Sequence, residues 1–299
     1  MRNKFQRLIR KAGYKIEKIE PHDDSELYRK IYGADSVNRR AFYNVAAGGH
    51  YGFGGKFEHS CWTNVDVEKE TYGEDRPFNP EKDISYDLLD LKPLPIESNS
   101  AELVFSQYTI EHITNEAAEN FFKEAYRVLK PGGVLRIVVP NAELDYIAYQ
   151  NNDISYFDWI PMMSRKEVYE DLGLKKPLNS TSFEQVMLVH FAANTSTLHV
   201  GGNPSRISDD EFKEVMRSLP KQDAFDYCTG KCSVDVQRQF RRNHINWWNH
   251  EKLNVALKKS GFPQSHILAP GQSSIQVFRN QRCFDNLWNY VALFVEAVK

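Results

Sequence analysis

Phe121-Phe122-Lys123-Glu124-Ala125-Tyr126-Arg127-Val128-Leu129-Lys130-Pro131-Gly132-Gly133-Val134-Leu135-Arg136-Ile137-Val138-Val139-Pro140 reads as a helix handing over to a strand. Apolar residues at helical spacing run into Leu-Lys-Pro-Gly-Gly, which stops the helix, and a fully apolar strand follows. Upstream, the run from Asp90-Leu91 through Leu94-Pro95-Ile96 to Glu111-His112-Ile113 predicts a turn and then a strand entering a helix. Further upstream, Tyr43-Asn44-Val45-Ala46-Ala47-Gly48-Gly49 is an apolar strand ending in small residues, and Asn64-Val65-Asp66 is a second strand ending in an acid. In this order the segments give the ground plan of a nucleotide-binding α/β domain.

The chemistry of that plan begins at the ends of the strands. Small residues at Ala46, Ala47, Gly48 and Gly49 let backbone approach a ligand that larger side chains would repel. About twenty residues on, Asp66 is placed to accept hydrogen bonds from ribose hydroxyls. Alone, Ala-Ala-Gly-Gly is more often merely a turn. A dinucleotide-dependent dehydrogenase would need Gly-x-Gly-x-x-Gly after the first strand, and Gly48, Gly49, Gly52, Gly54 and Gly55 lack that spacing.

The Asp90–Ile113 run with "Leu-Pro-apolar" and "Glu-His-Ile", and above all Arg127-Val128-Leu129-Lys130-Pro131-Gly132-Gly133, resembles the class I S-adenosylmethionine (SAM)-dependent methyltransferases. Downstream, Glu251–Phe262 is similar to the last helix of that family with its "Gly-Phe" exit, and Val291–Lys299 to its closing strand. The resemblance implies a Rossmann-like seven-stranded doubly wound sheet with an antiparallel last strand, an inserted, mainly helical cap, and SAM as cofactor. It implies a cofactor-binding set of Asn44, Ala46, Gly48, Gly49, Asp66, Asp90, Leu91, Ser106 and Gln107, with Asp90 reaching the adenine. The family usually has an acid where Asn44 stands and a glycine where Ala46 stands, so Asn44 brings no charge to the cofactor ammonium. That departure keeps a non-catalytic binding protein as an alternative. The expected division is a basic helical extension over 1–40, a SAM-binding domain over 41–141 and 244–299, and a substrate-binding cap over 142–243.

In-line methyl transfer to oxygen needs donor and acceptor held close and help in removing the acceptor proton, a task that suits histidine near neutral pH. The candidates are His199, read as exposed on a bent loop before Gly201-Gly202-Asn203-Pro204, His244 before the last helix, and His112 with Glu111. His190 and His250 are plausible by position. For any one of them a structural role is the commoner outcome. Tyr146, Phe157, Trp159 and other aromatics of the insertion can stack on sugar rings or on planar metabolites, or simply build the core of the cap. The expected acceptor is a sugar or glycan intermediate or another small hydroxylated metabolite. N-methylation of an amine or amino sugar is the variant.

With 299 residues, 41% hydrophobic and 26% charged, the chain can bury a sizeable core. A formal net charge of −2 speaks against a long polyanion, so no nucleic-acid partner is expected. Cys61, Cys228, Cys232 and Cys283 are scattered, which predicts reduced thiols and a cytoplasmic setting, and no metal-ligand cluster has convincing spacing. No stretch is long and apolar enough to span a bilayer. Phe5, Leu8, Ile9 and Ala12 share one helical face among basic residues. That face can pack on its own domain, on a second copy in a homo-oligomer, or on an anionic membrane surface.

Overall fold

The computed structural model describes residues 23–46, 59–67, 79, 81–285 and 288–299. The N-terminal basic helix and the Gly48–Gly55 loop, including Gly48 and Gly49, lie outside the described residues.

Helix α1 (Ser25–Asn38) precedes strands β1 (Phe42–Val45), β2 (Trp62–Asp66), β3 (Asp83–Ser85) and β4 (Ala101–Gln107). Helix α2 (Asn115–Val128) leads into β5 (Leu129–Pro140), and the sheet is completed by β6 (Ser265–Leu268) and β7 (Ala292–Val298). The order of the seven strands is β3-β2-β1-β4-β5-β7-β6, with β7 antiparallel to both neighbours and β1–β5 pairing in parallel. The strand order reverses at β1, so a crevice opens where β1 and β4 diverge, at their carboxyl ends.

The motif that decides the fold has a visible job. Thr114 caps α2 by accepting from the Ala117 amide, and Ala117, Ala118, Phe121, Phe122, Ala125 and Val128 form its buried stripe. Arg127 on the far face donates to the carbonyls of Leu94 and Ile96 at 2.9 Å each, while Glu124 accepts from the Leu94 amide at 2.7 Å. The Leu94-Pro95-Ile96 turn is thus clamped to α2. The helix stops at Val128, earlier than Pro-Gly-Gly, and Leu129 already pairs with Ala101. Gly132 adopts φ +81°, and a Cβ on Gly133 would sit 2.9 Å from the Lys130 carbonyl oxygen, so both glycines are demanded by backbone geometry.

β5 is not fully apolar. Arg136 is fully buried, donating to Glu296 on β7 at 2.7 Å and to Asp285 at 3.1 Å through Nε. Ser274 also donates to Glu296, at 2.9 Å. The charges are tolerated because each has a partner.

Between β5 and helix α10 (His250–Lys259) lie α3 (Ala142–Gln150), α4 (Ile160–Met163), α5 (Lys166–Asp171), α6 (Phe183–Phe191), α7 (Asp209–Ser218), α8 (Lys221–Thr229) and α9 (Val234–Gln239). They share an apolar cluster of their own, which includes Phe157, Leu188, Phe212 and Phe225. Adjacent tryptophans divide between two cores: Trp247 stacks on Phe225 in the helical cluster, and Trp248 packs against Phe122 in the sheet cluster. Among the described residues no helix is long and apolar enough to cross a membrane.

Candidate active site

A cleft of about 250 Å3 opens at the carboxyl ends of β1, β2 and β4 and is roofed by the helical segment. Its floor is built from strand ends. Ala46 lies just past β1 with φ +54°, a left-handed conformation that a small residue tolerates better than a bulky one, and its amide donates to the Val65 carbonyl at 2.7 Å. Asp66 ends β2 and lines the cleft while one carboxylate oxygen accepts from the Val67 amide at 2.8 Å. Gln107, Tyr108 and Thr109 continue the floor from β4.

The expected cofactor set divides accordingly. Ala46, Asp66 and Gln107 come together in the cleft. Asn44 does not line it: it is buried and donates to Asn64 at 3.2 Å, and Asn64 donates to Asp83 at 3.2 Å, a chain running across three strands. Ser106 is likewise buried away from the cleft. Asp90 and Leu91 turn outward, Leu91 at 39% exposure and Asp90 bound to Lys92 at 2.9 Å and Arg238 at 3.3 Å. The Lys92 hydrogen bond holds the Asp90 carboxyl below its ordinary pKa. Asp87 rather than Asp90 lines the cleft: one carboxylate oxygen caps the turn Leu88–Asp90 by accepting from the Leu89 amide at 2.9 Å, and the other accepts from Arg238 at 2.9 Å. An acid two residues after the third strand was the signal available in the sequence.

The roof is stitched to the turn Ile110–His112 by its carbonyls. Trp248 Nε1 donates to Ile110, the amides of Ile245 and Asn246 to Glu111, Gln237 to His112 and Asn246 to Ile113, all between 2.8 and 3.0 Å. This seam brings His244 against His112, with ring centroids 4.6 Å apart. His112 donates through Nδ1 to the Asn243 carbonyl at 3.1 Å, and His244 through Nδ1 to the His190 carbonyl at 2.5 Å. His190 also lines the cleft, stacked on Trp159 at 5.2 Å with its Nε2 3.1 Å from Asp145. Burial pushes His112 down to about 4 and His244 well below its ordinary value, so both rings are neutral at pH 7. Glu111 is 1% exposed, and burial raises its carboxyl to about 8.

His199 is not on an exposed loop and does not line the cleft. It is 1% exposed, its Nε2 lies 2.7 Å from the Asn243 side-chain oxygen, and its Nδ1 accepts from the Gly201 amide at 2.9 Å. Both ring nitrogens are spent, and the Gly-Gly turn serves to bring the Gly201 amide back onto the ring. Sequence reasoning also passed over Met162, Met163, Leu172, Arg241, Arg242 and Trp288, which helices and loops distant in sequence bring to the cleft.

Residues 55–137 match the family model described as "Methyltransferase domain". Among curated proteins, the chain is 34% identical over 161 residues to a ubiquinone/menaquinone biosynthesis C-methyltransferase UbiE of Neisseria meningitidis serogroup C, and 28% identical to that of serogroup B. Both alignments cover 48% of this chain, which spans 64% of the length of those relatives. Among solved structures, a SAM-dependent methyltransferase of Mesorhizobium loti aligns at 12% identity and a TM-score of 0.36, covering 86% of this chain and 90% of the other. Human N-acetylserotonin methyltransferase in complex with SAM aligns at 9% identity and a TM-score of 0.35, covering 92% and 54%.

Proposed function

Because this chain carries a class I SAM-dependent methyltransferase domain, we propose that it methylates a hydroxyl of a small acceptor with an apolar, planar body. SAM, when bound, supplies an electrophilic methyl group on a sulfonium. Asp66 accepts from the ribose hydroxyls, Val67, Leu88 and Leu89 form the apolar wall for the adenine, and Ala46 leaves room at the end of β1. These residues fit the cofactor because Ala46, with its single methyl group at a left-handed position, keeps that end of the floor small.

The observation that carries the acceptor class is the makeup of the roof. Trp159, Met162, Met163, Val168, Leu172 and Val189 offer aromatic and aliphatic surface, and the polar edge is made by His112, His190, Gln237, His244 and the arginines 241 and 242. A glycan would call for more convergent hydrogen-bonding groups than this wall provides. His112 and His244 each commit Nδ1–H to a carbonyl, which fixes the tautomer and leaves the Nε2 lone pairs available on this polar edge. The names of the Neisseria relatives specify C-methylation, which makes carbon transfer to a hydroxylated ring the second reading.

The test is calorimetric titration with SAM and with S-adenosylhomocysteine, followed by a screen of phenolic, sugar and amine acceptors for S-adenosylhomocysteine formation. Binding with turnover on phenolic acceptors is expected, and the methylated atom read from the product separates O, C and N transfer. A folded protein that binds neither ligand overturns the reading.

A further inference from the structure

We propose that Glu111, His112 and His244 form a binding site for one divalent transition-metal ion, with its open coordination positions facing the cleft. One ligand atom from each of the three side chains lies within 4.8 Å of the other two, and Glu111 Oε1 is 3.9 Å from His112 Nε2. Metal–ligand bonds of about 2.0–2.2 Å place two ligands about 3.4 Å apart in a tetrahedron and about 4.2 Å apart when trans. Small side-chain rotations therefore close this set on a single ion.

Two further observations point to a cation independently of that spacing. Both histidines spend Nδ1–H on backbone carbonyls, the outer-shell arrangement that fixes the tautomer and aims the Nε2 lone pair at a metal. Glu111 is 1% exposed, and neither carboxylate oxygen has a hydrogen-bond partner among the described residues. A buried carboxyl without donors is expensive to keep, and a cation supplies what it lacks. The Glu111 carbonyl is already committed to Ile245 and Asn246, so the backbone is held while the side chain is left without a partner.

Two imidazoles with one carboxylate suit zinc, iron(II) or manganese(II) better than calcium or magnesium, which prefer all-oxygen shells. His112 and His244 line the cleft while Glu111 sits behind them, so the remaining positions face the cavity. On the methyltransferase reading, the acceptor hydroxyl takes one of these positions and becomes easier to deprotonate.

The full chain, stripped with a chelator, is titrated with zinc against a chromophoric competitor and with cobalt(II) by visible absorption. The expected result is one equivalent of zinc per chain and a cobalt d–d band. Glu111→Gln and His244→Ala should each weaken zinc binding about 100-fold or more, whereas His266→Ala, at an exposed site on β6, leaves it unchanged. SAM titration of each variant reports folding separately. Wild-type protein that takes up no stoichiometric zinc or cobalt overturns the site, as does zinc binding unaltered in both ligand variants. SAM binding without metal uptake removes the metal site and spares the methyltransferase reading, and metal uptake without SAM binding does the reverse.

Discussion

The floor and the roof of the cleft are made in different ways. The floor comes from segments close in sequence: small Ala46 past β1, Asp66 ending β2 and Gln107 ending β4 meet because parallel strands align their carboxyl ends. The roof is assembled from afar, as where Asn246 bonds to Ile113 across 133 positions of sequence. A floor of this kind follows from strand order, whereas a roof depends on which side chains happen to satisfy the turn beneath it. Trp247 and Trp248 mark the border, one in each core.

The largest expected effect tests the sheet that carries the floor. Arg136→Met strands the buried Asp285 and Glu296 and should destabilise the fold by about 3–5 kcal/mol, read from urea unfolding; a change within experimental error would show that the ion triad does not hold the sheet.

Trp248→Ala and Trp247→Ala should each cost about 3–5 kcal/mol and yet differ in kind. At a temperature where both remain folded, the Trp248 variant should lose SAM affinity and the Trp247 variant turnover. Equal loss of both properties in both variants would erase the border drawn here.

Asp66→Ala should weaken SAM binding about 10- to 100-fold, whereas Asp90→Ala, outside the cleft, should leave it within about twofold by the small worth of exposed ion pairs. The reverse ranking in calorimetry would restore the motif-based assignment of Asp90.

The last effect is a slope rather than a single loss. In metal-free protein Glu111 keeps its proton up to about pH 8, while in the unfolded chain it ionises from its ordinary value of 4.5. The folded state therefore binds the additional proton, and stability falls as pH rises through this window by at most about 1.4 kcal/mol per pH unit. Glu111→Gln should flatten that dependence, and an unchanged slope would relocate the proton to another group.

The α/β plan was readable because its motif is local. Arg127, Gly132 and Gly133 act within one helix-to-strand junction and the Leu-Pro turn it clamps, so spacing alone encodes them. Asp87 and Asp90 sit at the two ends of the same short turn, and which one lines the cleft is set by the Leu89 amide together with Arg238, 151 positions away from Asp87. His199 was misplaced because Gly-Gly-Asn-Pro predicts a bend correctly and says nothing of what lies over it. Arg136 broke the reading of an apolar strand for the same kind of reason, since its counter-charges lie on a strand and a loop about 150 positions later.

The sequence by itself determined the α/β plan and the order of its early strands, because strand periodicity, helix stops and glycine backbone needs are properties of short segments. Tertiary structure alone decided which histidines meet. Pairing His112 with His244 and leaving the Glu111 carboxylate without a hydrogen bond among the described residues depends on four backbone carbonyls being satisfied by residues 237–248, a long-range hydrogen-bonding requirement that no local pattern records.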